Sequence, residues 1–420
     1  MKEQPNIIAF SIWLGVFLMV LETYVLGHWT RFVRRHSMNR WWYKTLWIVS
    51  AAMFALYWYV VYRRHFFRMD GVDVILTGLF SLWTLPKLGI AIVLIVKDLL
   101  RVVKRIGAVV MRRFRTVDDA VAVTNPEDAA VISRRQFFGK AGWSMASVPY
   151  VMVGNGMYRT LYDFKVYEHD VVVPNLPRAF EGMRLAQISD IHAGSFPDHK
   201  PFEEVRRILD MHKPDAITIT GDFINAKPSE LTVIERDLAR LRAPEGVFAS
   251  LGNHDHYNTD AEHSALIKAI RERGIDLLVN ERRVLQAGSD RLIIAGTDNT
   301  GFKQRFARLE QALGDATTED AVVLLAHDPT FWEREVVGSP VGLMLSGHTH
   351  GGQVGVQLMG FEWSPAQYVY RQWAGLYAIG DQHLYVNRGI GTVGPPMRIG
   401  IPPEITILTL RRQAVDSGLA

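Results

Sequence analysis

Apolar residues are distributed along this chain in two different ways. Up to about residue 100 they form long runs; from Asp170 onward they form short β-branched runs alternating with amphipathic stretches. Residues 7–26 are apolar apart from Glu22 and a few small or polar positions, enough to cross a bilayer as a helix. A second run, 45–62, is opened by Trp41 and Trp42 and closed by Tyr57, Trp58 and Tyr59, aromatic residues suited to the headgroup level. A third, 72–96, carries Pro86 and Lys87 in its middle, which predicts a kink or a lysine turned to the bundle interior. Residues 97–115 are basic and amphipathic, with Leu99, Val102, Val103, Ile106, Val109 and Val110 among Lys and Arg, the pattern of a helix lying on an anionic membrane surface.

Beyond a polar linker at 116–133, the pair Arg134-Arg135 precedes a mildly apolar segment, 141–158. This resembles an internal twin-arginine export signal retained as an anchor, or a fourth membrane helix. From 170 the texture predicts strands at 171–173, 184–188, 216–220, 247–251, 292–296, 322–326, 341–345, 383–386 and 405–410. Helices are predicted at 201–212, 228–241, 260–273, 305–313 and 330–335. Some 250 residues of this kind suffice for one α/β core.

Charge separates the same two regions. Lys and Arg number 21 against 9 Asp and Glu up to residue 160, and 26 against 34 after it. The basic excess flanks apolar runs, as in a membrane protein, and nucleic acid is not an expected partner. Basic residues number 5 in the first connection, 3 in the second and 10 over 97–140. The positive-inside bias then puts the N-terminus outside, and a fourth crossing makes the following domain extracytoplasmic. The chain has no cysteine, so thiolate metal sites and cysteine nucleophiles are excluded.

Five predicted strands run into similar residues: Asp190 and His192 after 184–188, Asp222 after 216–220, Asn253, His254 and Asp255 after 247–251, His327 after 322–326, and His348 and His350 after 341–345. Ligands of α/β sheets bind outside the carboxyl ends of strands. One Asp there forms a turn or caps a helix; five strand ends carrying only oxygen and imidazole donors point to a metal site. The order D-x-H, G-D, G-N-H-D, H and G-H-x-H resembles the calcineurin-like metallophosphoesterases over about 165–412. The likeness is strongest to bacterial membrane-associated or twin-arginine-exported members, which share Gly-His-Thr-His-Gly-Gly-Gln-Val (347–354) and a glycine-rich segment like 387–391.

The resemblance implies a four-layer αββα sandwich preceded by an α-helical transmembrane region. The expected domains are 1–115, about three membrane helices plus the basic helix; 116–164, linker with the twin-arginine-like motif and fourth helix; 165–412, metallophosphoesterase domain; and 413–420, tail. It implies that Asp190, His192 and His350 hold one divalent metal ion, Asn253, His327 and His348 a second, and Asp222 bridges. Mn²⁺ is expected first, with Fe or Zn²⁺ compatible with the mixed N/O donors. His254 would be the catalytic acid in hydrolysis by metal-hydroxide attack, with Asp255 either orienting its ring or forming the turn.

The expectation is a multi-pass inner-membrane enzyme hydrolysing a phosphodiester or pyrophosphate, with membrane lipids as partners and a lipid-linked substrate. The alternatives are an extracytoplasmic phosphatase of soluble phosphoesters and a catalytically silent sensor or scaffold. His256 reads as a water-facing loop residue, and Arg388 and Arg398 as surface arginines rather than phosphate ligands. His199, His212, His263 and His383 fit no strand-end motif. The aromatic-rich segment 358–377 reads either as ordinary hairpin packing or as a lipid-facing hairpin.

Overall fold

A computed structural model describes residues 7–66, 71–114, 142–301 and 304–413. It divides into two compact units, Met1–Val61 with Leu79–Gly154 and Tyr62–Gly78 with Asn155–Ala420. The N-terminal region is helical: α1 (Ile7–Arg35), α2 (Trp41–Phe66), α3 (Gly71–Thr84) and α4 (Pro86–Phe114). Three stretches are long and apolar enough to cross a membrane, Ala9–Arg35, Trp41–Arg63 and Gly71–Val110. The third is interrupted at Leu85, because Pro86 has no N–H to continue the ladder but suits the first position of a new helix.

Lys87, one residue later, is turned inward. Its Nζ lies 3.2 Å from Glu22 Oε2 and 3.6 Å from the Trp83 ring centroid, and Trp83 Nε1 donates to Glu22 Oε1 at 3.0 Å. Both charges are buried, so each is tolerable only because the other is there. Residues 97–114 are the continuation of α4 rather than a separate helix, and Leu99, Val102, Val103, Ile106, Val109 and Val110 are exposed. Arg134 and Arg135 lie outside the described residues, as does the linker. Helix α5 (Val148–Tyr158) has 11 residues, shorter than the ~20 needed to cross a bilayer alone.

The second unit carries two six-stranded sheets. One has the order β1 (Lys165–Val173), β14 (Glu404–Arg412), β2 (Arg184–Ile188), β3 (Ala216–Thr220), β4 (Val247–Ser250) and β5 (Asp276–Leu277). The other runs β12 (Gly375–Ile379), β13 (Gln382–Val386), β9 (Leu343–Ser346), β8 (Ala321–Leu325), β7 (Asp290–Gly296) and β6 (Glu281–Ala287). Strands β2 to β5 are mutually parallel, as are β13, β9, β8 and β7, so the motif-bearing ends of each set share one edge.

Alternation along the strands builds the layers. Leu185 of β2 and Val323 and Leu325 of β8 enter one core shared by the two sheets. Ala186 and Ile188 instead face Phe202, Val205 and Leu209 of α6 (Lys200–His212) and Leu266 and Ile270 of α7 (Asp260–Glu272). Val322 and Leu324 pack on Phe331, Trp332 and Val336.

Each expected strand appears, with limits close to those expected except for β1, which begins at Lys165 rather than at 171. The helix expected at 228–241 is a 3₁₀ segment, Pro228–Val233, followed by the single turn Glu235–Leu238. There the Glu230 carboxylate accepts from the backbone N–H groups of Asn225, Ala226 and Lys227, stabilising a tight turn instead. Those expected at 305–313 and 330–335 shrink to Leu309–Leu313 and the wide turn Trp332–Val336.

Candidate metal centre

Six of the seven donors named from the sequence, all but Asn253, are brought within a few ångströms of one another where the two sheets present their strand ends. Asp190 and His192 follow β2, Asp222 follows β3, Asn253 follows β4, His327 follows β8, and His348 and His350 follow β9. His192 Nε2 and His350 Nε2 stand 3.1 Å apart, and His350 Nε2 is 3.2 Å from Asp190 Oδ1. His327 Nε2 is 3.1 Å from Asp222 Oδ2 and 3.3 Å from His348 Nδ1. Asp222 Oδ2 is also 3.5 Å from His192 Nε2, so this carboxylate belongs to both groups.

The backbone is bent to achieve this. Asp190, His192, Asp222, His348 and His350 all have positive φ, from 44° to 71°. The left-handed region costs a non-glycine residue about 1–3 kcal/mol where it is strained, and Asp and His are among the side chains that tolerate it best. Cross-loop bonds hold the bends: His192 N donates to Asp222 O at 2.9 Å and Asp190 N to Gly221 O at 3.1 Å. Two glycines are required for close approach. A Cβ on Gly252 would overlap Asp222 Oδ1, and one on Gly347 would overlap Ser189 Oγ and Asp190 Oδ2.

The polar accounting fits divalent cations. His327 Nδ1 lies 2.6 Å from the Thr220 carbonyl, so Nδ1 carries a proton and Nε2 is the nitrogen turned toward Asp222. Asn253 donates through Nδ2 to the Tyr257 hydroxyl at 2.8 Å, while its Oδ1 is buried without a partner. Imidazole nitrogens face one another across 3.1 and 3.3 Å beside two carboxylates, an arrangement of convergent lone pairs that a cation would satisfy.

Burial pushes His192 and His350 well below the usual histidine range, aided by neighbouring imidazoles. Burial and then His327 lower His348 to about 4. These three rings are neutral and ready to ligate. His327 goes the other way: burial opposes its charge, but Asp222 and Asp190 raise it to about 10. Burial would raise Asp222, yet His327 and His254 outweigh it and keep that carboxylate well below its ordinary value.

His254 lies at the rim of this group, half-buried. Its Nδ1 is 2.8 Å from the Asn225 carbonyl, and its ring stands perpendicular to His192 with centroids 4.7 Å apart. Asp255 has other partners than the His254 ring. Its buried carboxylate accepts from the backbone N–H groups of Asp222, Phe223 and Gly252, each at 2.9 Å, which ties the loop after β3 to the loop after β4.

Three sequence expectations are corrected. His256 is buried, with Nε2 2.6 Å from Asp298 Oδ1 and its ring stacked on Phe306 and His263. Arg388 is buried between Glu404 at 2.6 Å and Glu362 at 2.7 Å. Arg398 is fully buried and donates to the carbonyls of Arg388, Gly389 and Gly391. Both arginines shape the glycine-rich loop that packs on Asp190; nothing local in the sequence marks them as interior. Sequence reasoning missed Asn225 and Tyr370, whose hydroxyl is 3.1 Å from His348 Nε2. Neither lies in a motif, although Tyr370 belongs to the aromatic segment.

A family model described as "Calcineurin-like phosphoesterase" matches residues 183–352, and one described as "Probable Calcineurin-like phosphoesterase, transmembrane domain" matches residues 6–161. The uncharacterized metallophosphoesterase YkuE of Bacillus subtilis is 32% identical over 295 residues, covering 67% of this chain and 98% of that protein. The chain belongs to the calcineurin-like metallophosphoesterases. These are metal-dependent phosphoesterases, and this metallophosphoesterase is a membrane protein with a transmembrane region. A zebrafish (Danio rerio) transmembrane protein with metallophosphoesterase domain is 29% identical, over 62% of this chain and 61% of its own length. The Escherichia coli phosphodiesterase YaeI is 29% identical over 54% of this chain and 82% of its own.

Proposed function

We propose that this metallophosphoesterase is a dimetal hydrolase anchored in the inner membrane, cleaving a phosphodiester or pyrophosphate bond of a lipid-linked substrate. The observation that carries the reading is the meeting of Asp190, His192, Asp222, His327, His348 and His350 from four strand ends, with Asp222 common to both groups and the Asn253 Oδ1 buried without a partner on the loop after β4. Asp190, His192 and His350 would hold one divalent cation, Asn253, His327 and His348 the other, and Asp222 both. Mn²⁺ suits this donor set, as do Fe and Zn²⁺. When bound, two such cations supply Lewis acidity that polarises a phosphoryl oxygen and acidifies water.

The chain's own groups do the rest. The Asn225 carbonyl fixes the His254 Nδ1 proton, so Nε2 is the atom that hands a proton to the departing oxygen. Asp255 holds the two loops that carry Asp222, Asn253 and His254. The name of the Escherichia coli relative supports phosphodiester chemistry. An extracytoplasmic position for the catalytic domain rests on the distribution of basic residues alone.

A ribbon beside the site supports a lipid-linked substrate. Strands β10 (Val356–Leu358) and β11 (Phe361–Trp363) pair Val356 with Trp363 and Leu358 with Phe361, which puts four apolar side chains on one face. The other face is polar and turned to the protein: Glu362 meets Arg388, and Gln357 meets the Tyr167 hydroxyl. Val356, Leu358 and Phe361 are exposed, and Met359 at the tip is 98% exposed. Apolar outward and polar inward reverses the usual order for a surface in water.

The test is hydrolysis of bis(p-nitrophenyl) phosphate by the detergent-purified full chain with Mn²⁺. Turnover should disappear with a chelator and in Asp222→Asn. A well-folded sample holding two metals per chain yet inert toward this ester and toward extracted lipids would end the proposal. Equal activity on soluble and lipid-linked diesters would confine the anchor to retention.

A further inference from the structure

A cavity of about 830 Å³ opens from the metal centre at His348 and Tyr370 and extends to a wall carrying Arg305, Arg308 and Arg334. All three arginines are exposed, and among the described residues none of them has a carboxylate partner. The Arg308 guanidinium donates to carbonyls of its own loop, those of Arg305 and Ala307. Arginines elsewhere on this unit do sit on carboxylates, as Arg206 on Asp237, Arg283 on Asp276 and Arg291 on Asp320. Two acids share the lining, Asp328, whose Oδ1 accepts from Thr330, and the exposed Glu335; against the three arginines they leave the wall net positive.

A guanidinium fork without a carboxylate, facing a cavity that leads to a phosphoryl site, matches a second phosphate in geometry and charge. We infer that this cavity is a subsite for a second phosphate adjoining the scissile one, so that the substrate is a diphosphate diester. This rests on the phosphoesterase reading above and narrows it. The oxygen of water bonds to the phosphorus at the metal centre, and the bond from that phosphorus to the bridging oxygen breaks. The bridging oxygen leaves with the distal phosphate held by the arginines. The products are two phosphate monoesters, which between them and the solvent keep both protons of the water.

The experiment uses the full chain in detergent with Mn²⁺ and the double variant Arg305→Gln/Arg334→Gln. Two soluble substrates are compared: ADP-ribose, a diphosphate diester, and bis(p-nitrophenyl) phosphate, which has no second phosphate. Binding of methylenediphosphonate, which cannot be hydrolysed, is measured by calorimetry alongside. The expected result is a loss of kcat/KM at least tenfold larger for ADP-ribose than for the aryl ester, carried by KM. A diphosphonate Kd about tenfold weaker should accompany it. Equal losses on both substrates, no loss on either, or an unchanged diphosphonate Kd overturn the subsite. If neither substrate turns over in the unaltered protein, the hydrolase reading fails separately, and the diphosphonate arm still decides whether the arginines bind.

Discussion

Replacing Asp255 by asparagine separates a structural role for this residue from a catalytic one. Its Oδ2 accepts from Asp222 N and Gly252 N, and its Oδ1 from Phe223 N and, at 3.4 Å, Ile224 N. An asparagine presents one oxygen and one NH₂, so whichever way it turns, a donor replaces an acceptor of two backbone N–H groups. A buried donor left without its partner costs about 1–3 kcal/mol, giving about 2–6 kcal/mol for two. Burial and the Asp222 charge push the Asp255 carboxyl up to about 8, so near neutral pH it is largely protonated and already presents one donor, which the asparagine NH₂ in part reproduces. The lower half of that range, about 2–4 kcal/mol, is therefore expected. For a unit of this size that lowers Tm by about 5–15 °C. Metal content should fall with it, because the loops carrying Asp222 and Asn253 lose their tie. Thermal unfolding followed by near-UV circular dichroism, with elemental analysis of the same sample, measures both. Unchanged Tm and metal content with an altered kcat–pH profile would show Asp255 acting on His254 and refute the reasoning.

Other perturbations probe separate links of the argument. His254→Ala should retain both metals while kcat falls about 10²–10⁴-fold, most for esters with poor leaving groups; metal loss in this variant would remove it from the acid role. Without metal, His327 is raised to about 10 and so carries a proton at pH 7, which coordination through Nε2 must expel. Metal uptake at pH 7 should then release about one proton from this residue, and the release should fade as pH rises past about 10; a pH-stat titration showing no proton release would reject His327 as a ligand. In the helical unit, Lys87→Met should destabilise by about 3–5 kcal/mol by stranding Glu22, and adding Glu22→Gln should recover most of it. A double variant no more stable than Lys87→Met in detergent melts would mean that the pair is not coupled.

The sequence is legible where local pattern and tertiary role coincide. Strands β3 and β8 are buried on both faces and read as short β-branched or apolar runs, so their limits were plain. β6, with Glu281, Arg282 and Arg283, was invisible because edge strands carry charge that masks alternation. The seven donors were readable because each follows a strand at once. Arg388 and Arg398 were misread because burial of an arginine depends on partners sixteen residues away, Glu404, or on carbonyls of a folded loop. His256 was misread similarly, since Asp298 reaches it from another sheet.

The spacing of the two donor groups is set by the packing of one sheet on the other. Asp190, His192, Asp222 and Asn253 come from one sheet; His327, His348 and His350 come from its partner. Bonds across the seam fix their relation: Gln187 Nε2 donates to Ser346 O at 2.9 Å, and the His348 amide is shared between the two Asp190 oxygens at 3.0 and 3.1 Å. Asp190 would therefore act twice, as a proposed metal ligand and as the acceptor that aims the loop bearing His348 and His350. Its neighbour Gly347 is small for the same reason, because any side chain there would force these loops apart. The strained backbone of five donor residues persists only because both sheets restrain it. A centre built across such a seam gains rigidity from the shared core of Leu185, Val323, Leu325 and Leu345. The hydrophobic pattern that makes the sheets is thus also what sets the distance between the two groups of ligands.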